Sequence, residues 1–506
     1  MNRLQRSSVN MLSSAAGYVV PMLVNLITTP FLLQALGEAA YGLQSLVAVV
    51  IGYLTFMDMG LDLPIIKLLA ADRAHQDVDV DAENRLLSTT LQLYMGIGLV
   101  GMLIIILLAD WFARSVFQMP ANLMDQAIVV FRLAGIGFLG SVGLSWGRAV
   151  AMGLQRYDLT YSVSVIINTA GTLIGLGVVY AGYGVVGYVL SRTILTALSG
   201  PIYFLLTRRL LSGFRFRQGI DRATLQRVSS YLGYGTFNRI VSSLVSRIDQ
   251  TLIGIWAGVA AAGIYAIPFL LVNSLGYMLA FMLGFIFPMA SELQSLGQMD
   301  RLRDIFLRAS QFIAALAGLI FIPLFILGEP FLVIWTPTIA VQAAGVLRLL
   351  ALAGYIGTLT TALPNNMMVG LGKMREFTIY STIRAMALGI FCFTFIRALG
   401  LEGAGWALLL TCIVDVIYFV IVLRHYLHIS PLQLFRDAYL KPVLLGVGFA
   451  GFVLLLRPFA TSWIGLGVVG VVLGLVYLAA GFATSVFGDT EKRALVGLLR
   501  TVRKIG

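Results

Sequence analysis

Fourteen runs of about twenty or more predominantly apolar residues divide this chain, and no other feature limits its fold so tightly. They fall near 10–34, 41–69, 86–109, 124–152, 158–181, 184–207, 231–256, 262–290, 309–328, 340–370, 377–397, 401–423, 441–457 and 462–487. A helix crossing about 30 Å of hydrocarbon needs about 20 such residues. Strands of a membrane barrel would instead alternate over about ten residues. Only 11% of the 506 residues are charged, against about 25% in an ordinary soluble domain. The fold class expected is an all-α polytopic membrane protein with about 14 transmembrane helices. The start, "MNRLQRSSVNMLSSAAGYVV", has an apolar run broken by Ser13, Ser14 and Gly17, and reads as a retained first helix rather than a signal peptide.

Basic residues orient these spans. With the N-terminus inside, the inside loops and tails hold 24 Lys and Arg, the outside loops hold 3 (Arg114, Arg397, Arg457), and 8 lie within spans. That asymmetry places both termini in the cytoplasm. It also accounts for most of the +12 net charge, so no nucleic-acid partner is needed. The basic stretch "TRRLLSGFRFRQGIDRATLQR" (207–227) reads as a cytoplasmic linker touching anionic membrane lipid. The tail, "DTEKRALVGLLRTVRKIG", reads as an interfacial amphipathic helix.

The two halves repeat weakly. "GEAAYGL" (37–43) matches "GVAAAGI" (258–264), "FRLAG" (131–135) matches "LRLLA" (347–351), "GLQRY" (153–157) matches "GLGKM" (370–374), and "GYGVVG" (182–187) matches "GLEGAG" (400–405). The offsets stay between 216 and 221 residues, or six helices, so the repeats are parallel. The domains expected are an N-lobe at 1–207, a basic linker at 208–230, a C-lobe at 231–424, two extra helices at 425–488 and the tail at 489–506.

Two stretches carry a family resemblance. "LGEAAYGLQSLVAVVIGYLTFMDMGL" (36–61) resembles the first hairpin of polysaccharide exporters, and "SRIDQTLIGIWAGVAAAGIYAIPFLL" (246–271) resembles their seventh-helix pattern. These are features of the bacterial O-antigen/exopolysaccharide flippase family, within the multidrug/oligosaccharidyl-lipid/polysaccharide exporter superfamily. The resemblance covers residues 8–425. It implies two lobes in a V around a central cavity, alternating access, and a place in the bacterial inner membrane.

Charges inside spans are the candidate functional residues. A central charge costs about 2.5–3.5 kcal/mol on insertion scales. Each must therefore snorkel, pair or line water. Lys67 and Arg148 lie near cytoplasmic helix ends, where snorkelling competes with function. Arg132 and Arg348 hold matching repeat positions, and either clamp carbonyls or meet ligand. Arg192 and Arg384 lie about two turns in. The stretch "NRIVSSLVSRIDQTLIG" (238–254) concentrates the problem. Read as one continuous helix, it puts Asn238, Arg239, Ser242, Ser243, Ser246, Arg247, Asp249 and Gln250 on one side. That side either faces a cavity or packs as a buried network. Asp58 and Asp62 are four residues apart in helix 2, where they hold a proton or Na⁺ or partner an arginine. Pro64 is expected to kink that helix, with Pro21, Pro30, Pro268, Pro288 and Pro364 adding breaks elsewhere.

Other chemistry is missing from the sequence. G-x-G-x-x-G occurs at 96–101, 135–140, 182–187, 446–451 and 465–470, always in or beside a span, so it reads as helix packing rather than nucleotide binding. Cys392 and Cys412 read as core residues. His75, His425 and His428 make no metal set. No catalytic constellation appears, and the chain is not expected to be an enzyme or to need a cofactor beyond a coupling ion, H⁺ or Na⁺.

The leading expectation is a flippase for a polyprenyl-diphosphate-linked oligosaccharide, serving surface polysaccharide assembly alongside polymerase machinery. The substrate class comes from the resemblance; the physical argument is that a diphosphate needs cations to cross. The residues expected to bind it are Arg239 and Arg247, then Arg192, Arg384 and Arg148. Asp249, Asp58 and Asp62 are expected to balance charge or couple an ion. A cation-coupled multidrug exporter of the same superfamily is the alternative, and a membrane glycan polymerase or ligase is the alternative of another class.

Overall fold

The computed structural model describes residues 3–487 except 59, 74–78, 212 and 231–233. His75 and the tail 489–506 lie outside the described residues. Those described form helices with no strand among them: α1 (Arg3–Leu54), α2 (Asp62–Asp72), α3 (Val80–Trp111), α4 (Met124–Gly153), α5 (Tyr157–Val178), α6 (Gly184–Leu210), α7 (Arg222–Ser229), α8 (Tyr234–Val245), α9 (Ile248–Trp256), α10 (Val259–Met282), α11 (Ile286–Ser295), α12 (Met299–Trp335), α13 (Ala340–Thr360), α14 (Ala362–Gly370), α15 (Met374–Leu399), α16 (Leu401–Tyr426), α17 (Pro431–Leu434), α18 (Leu440–Leu456) and α19 (Trp463–Ala483).

Among the described residues, eleven continuous helical runs are long and apolar enough to cross a membrane. Two of them hold two sequence-read spans each. Gly37, at φ 77°, divides α1, and Gly182 and Gly184, both at positive φ, divide α5 from α6. Glycine adopts that left-handed conformation at no steric cost. The fourteenth expected span is α8 with α9, whose interruption keeps it from being one long helix.

Three other spans are broken, and proline marks each break. Pro64, Pro288 and Pro364 are each the third residue of their helix, α2, α11 and α14. The proline ring clashes with the carbonyl four residues back, which falls at Gly60, Gly284 and Thr360, where the preceding turn ends. Inside a first turn the missing N–H has no helical partner to lose. The kink expected at Pro64 is therefore not found: the second span breaks before the proline, and α2 starts two residues ahead of it.

The chain forms two compact units, Met1–Ala266 and Ile267–Gly506. The first therefore continues past the basic stretch through α8 and α9. Within it, glycines let α3, α4 and α6 meet closely. A Cβ on Gly101 would overlap the Phe138 ring, one on Gly140 would overlap the Ala197 backbone, and one on Gly147 would overlap Tyr203. Gly101 and Gly140 belong to the G-x-G-x-x-G stretches read as packing. In the second unit α18 and α19 pack on α12 through Phe449, Val453, Leu473 and Tyr477, and the Tyr477 hydroxyl donates to the Ala315 carbonyl at 2.7 Å.

The internal repeat has a side-chain signature. In the first unit Arg132 donates to Asp110 at 3.1 Å, with Arg114 3.5 Å from the same carboxylate. In the second, Glu329 takes Arg348, and Arg457 at 3.1 Å. Arg132 and Arg348 thus pair with carboxylates rather than clamp backbone carbonyls.

The basic stretch is not free. Residues 213–221 run extended along α3. The Asn84 amide donates to the Gly213 carbonyl at 3.0 Å, and its carbonyl oxygen accepts from the Arg215 amide at 3.0 Å. Ser88 accepts from the Arg217 amide at 3.0 Å, and Gln92 both donates to the Arg217 carbonyl and accepts from the Gly219 amide. Four helical residues rise about 6 Å and two extended residues about 6.6 Å. Asn84, Ser88 and Gln92 therefore stay in step with every second residue of the strap. Asp221 then caps α7 by accepting from the Thr224 amide at 2.8 Å, as Asp79 caps α3 through the Asp81 and Ala82 amides. The Thr224 hydroxyl and amide hold the Asp221 carboxyl below its ordinary range, and the Ala82 and Asp81 amides do the same for Asp79.

Candidate functional site

The seventh span, expected as one helix, is two. The helix stops at Val245, turns through Ser246 and Arg247, and restarts at Ile248. Arg247 sits at φ −134°, ψ 5°, outside helical geometry. Helical phase therefore cannot be carried from Arg239 to Arg247, Asp249 and Gln250, and the single polar face read across all of them is not one helix face. The side chains of Asn238, Arg239 and Ser242 lie outside the described residues; Arg239 itself is on α8.

Neighbouring helices fix the break. The Thr251 amide donates to the Arg247 carbonyl at 3.0 Å, and its hydroxyl donates there at 2.8 Å. That hydroxyl also meets the Tyr53 hydroxyl of α1 at 2.5 Å. Asp249 is buried, at 2% exposure. One of its oxygens accepts from the Gln250 amide at 2.8 Å and the other from the Tyr265 hydroxyl of α10 at 2.5 Å. Asp249 thus pins the start of α9 to α10. The Arg247 charge is within electrostatic range of it. Gln250, also buried, donates to Ser45 at 3.4 Å, and its side-chain oxygen has no partner among the described residues.

Arg247 itself is partly exposed. Its stem crosses α1 at Gly52, where an added Cβ would lie 3.2 Å from Nε. Among the described residues, no carboxylate lies within ion-pair distance of it. A guanidinium therefore stands at the N-terminus of a half-helix, beside the backbone dipole end that favours anions.

The other expected residues are dispersed. Arg192 on α6 donates to the Tyr188 hydroxyl at 3.1 Å, and its Cγ would touch a Cβ on Gly171 at 3.8 Å. Arg148 is exposed near the end of α4, within range of Tyr203. Arg384 on α15 is paired, its Nε donating to Asp415 of α16 at 2.8 Å. Asp58 and Asp62 do not share a helix face, because Gly60 at φ 76° separates the turn holding one from the helix holding the other. Asp58 accepts from the Gly60 amide at 3.1 Å, and Asp62 from the Leu63 amide at 3.0 Å.

The Arg384–Asp415 pair was missed, although a signal for it exists. Arg384 lies sixteen residues before the Gly400 turn and Asp415 fifteen after it, so an antiparallel hairpin puts them at one depth. The same reasoning pairs Asp110 with Arg132 and Glu329 with Arg348.

The profile of the family described as "Polysaccharide biosynthesis protein" matches residues 32–336, more than half of the chain. The chain belongs to that family. A putative O-antigen transporter of Shigella flexneri is 20% identical over 292 residues, 56% of this chain. The match spans 66% of that relative, just under two thirds of its length. Among solved structures, lipid II flippase MurJ in an inward closed conformation superposes with TM-score 0.72 at 10% identity, covering 94% of this chain and 99% of its own. An inward-facing multidrug resistance transporter of the MATE family, MOP superfamily, gives 0.66 at 15% identity, covering 82% and 97%. The family thus has here the fold of those transporters, a polytopic helical membrane protein, as the sequence predicted.

Proposed function

We propose that this protein moves a polyprenyl-diphosphate-linked oligosaccharide from the cytoplasmic to the outer leaflet of the bacterial inner membrane by alternating access, supplying polymerase machinery that builds a surface polysaccharide. The observation that carries the reading is the break at Ser246–Arg247. Interrupted transmembrane helices place half-helix N-termini toward anionic groups of a substrate, and here the break also bears an arginine without a carboxylate partner among the described residues. Arg247 is the first phosphate contact in this reading. Arg192, held by a tyrosine, is the second. Arg239, Arg148 and Arg384 are the further candidates for phosphate contact.

The family membership and the O-antigen transporter relative support a glycan cargo, and the MurJ-like fold supports a lipid-linked one. A surplus of arginine over carboxylate suits a diphosphate better than a cationic drug. A gradient of H⁺ or Na⁺ drives the cycle, since the sequence has no nucleotide-binding motif.

The test is to delete the gene and follow lipid-linked sugars. Accumulation of one on the cytoplasmic side, with loss of a surface glycan, is expected. Unchanged lipid-linked sugars and unchanged surface glycan would contradict the proposal.

A further inference from the structure

Asp415 lies in α16 and is fully buried, at 0% exposure. Its Oδ1 collects two donors, Arg384 Nε at 2.8 Å and the Tyr380 hydroxyl at 2.7 Å. Its Oδ2 is buried and has no hydrogen-bond partner among the described residues. Guanidinium–carboxylate pairs commonly close as two parallel bonds. This one uses a single bond, and a buried oxygen left unmade works against stability. A pair kept only to hold two helices together has no use for that arrangement.

The arrangement makes sense if the arginine has a second partner. The Tyr380 ring lies flat on the Tyr418 ring, with centroids 3.7 Å apart and planes at 9°, so the hydroxyl at Oδ1 is held by stacking. Arg384 is held by Nε alone and keeps 33% of its side chain exposed. Among the described residues neither Nη atom has a hydrogen-bond partner. We infer that Asp415 is a positioning residue, which grips Arg384 by Nε so that both Nη groups stay available to a pair of phosphate oxygens of the transported lipid headgroup. This rests on the function proposed above and adds to it the residue that positions Arg384.

The chemistry fits. A guanidinium presents two parallel donors that match two phosphate oxygens, which an ammonium cannot do. The Asp415 charge lowers the cost of keeping a cation inside the membrane without using the donors the phosphate needs.

The test uses the full-length protein in nanodiscs, titrated with farnesyl diphosphate and, as control, farnesol. Replacing both members of a buried pair by apolar residues removes the charges without stranding either one, so the Arg384→Met/Asp415→Leu double variant should fold. It should bind farnesyl diphosphate about tenfold more weakly, the usual loss for a charge-assisted hydrogen bond, with farnesol unchanged. Arg384→Lys keeps the charge and the Asp415 partner but lacks the paired donors. It should show the same loss, and it serves if the double variant does not purify. Asp415→Asn, which keeps Arg384 charged but grips it less firmly, should weaken binding by a smaller factor. Wild-type affinity for farnesyl diphosphate in the double variant and in Arg384→Lys would overturn the inference. If Arg247→Ala then still loses the preference for diphosphate, the proposed function stands without it. A wild-type protein that binds farnesol as well as farnesyl diphosphate would remove the proposed function itself.

Discussion

Arg247 crosses the backbone of α1 at Gly52, so tightly that an added Cβ would sit 3.2 Å from Nε. A side chain on that glycine would therefore have to shift the arginine at the helix break. Gly52→Val should push the guanidinium aside while leaving its charge in place. Transport of lipid-linked sugar by reconstituted protein should fall about tenfold, the loss of one charged hydrogen bond, and the melting profile in detergent should shift little. Undiminished transport would show that the position of Arg247 is immaterial.

Asp249 and Tyr265 fix the start of α9 to α10 through a buried hydrogen bond. Tyr265→Phe strands a carboxylate oxygen in an apolar setting. The expected cost is about 1–3 kcal/mol, read as a lower melting temperature by size-exclusion of the heated protein. Asp249→Leu with Tyr265→Phe, which removes both polar partners, should recover part of that loss.

The strap along α3 is held mainly by Asn84, Ser88 and Gln92, with Thr89 accepting from the Asp221 amide at 3.2 Å. Asn84→Ala with Gln92→Ala removes five of its hydrogen bonds. Trypsin should then cut after Arg215 or Arg217 faster than in the wild type, with no change in other fragments. Equal cutting rates would mean that the strap is held by something else.

Acid should loosen α7 before it affects the spans. The Asp221 carboxyl is held below its ordinary range by the Thr224 amide and hydroxyl. A carboxyl lowered in the folded state contributes stability above its unfolded pKa, about 3.9, and loses it as pH falls through the lower folded value. A spin label at Leu225 should therefore stay ordered at pH 7 and gain mobility below about pH 4. Asp221→Asn should flatten that pH dependence.

Much of this architecture was legible in the sequence, for physical reasons. Span number follows from hydrocarbon thickness, and the repeat follows from near-constant offsets. Depth in the membrane is also legible, though it went unused: Arg384 and Asp415 are nearly equidistant from Gly400. Three breaks are legible once proline is placed in the first turn of the following helix rather than at a kink. The break at Ser246–Arg247 is different. No glycine or proline occurs between Val245 and Ile248, and what holds it lies elsewhere, in Tyr53 and Tyr265. The strap was invisible for a similar reason, since its backbone is read by Asn84, Ser88 and Gln92, more than a hundred residues away.

The central claim is that the arginine at the helix break holds the diphosphate of a lipid-linked glycan. The most direct measurement compares wild type, Arg247→Lys and Arg247→Ala in proteoliposomes, following movement of lipid-linked oligosaccharide between leaflets. The account predicts a loss of about 10- to 100-fold in Arg247→Ala, with Arg247→Lys between the two, since lysine keeps the charge but not the paired donors. Wild-type flipping by Arg247→Ala would contradict it.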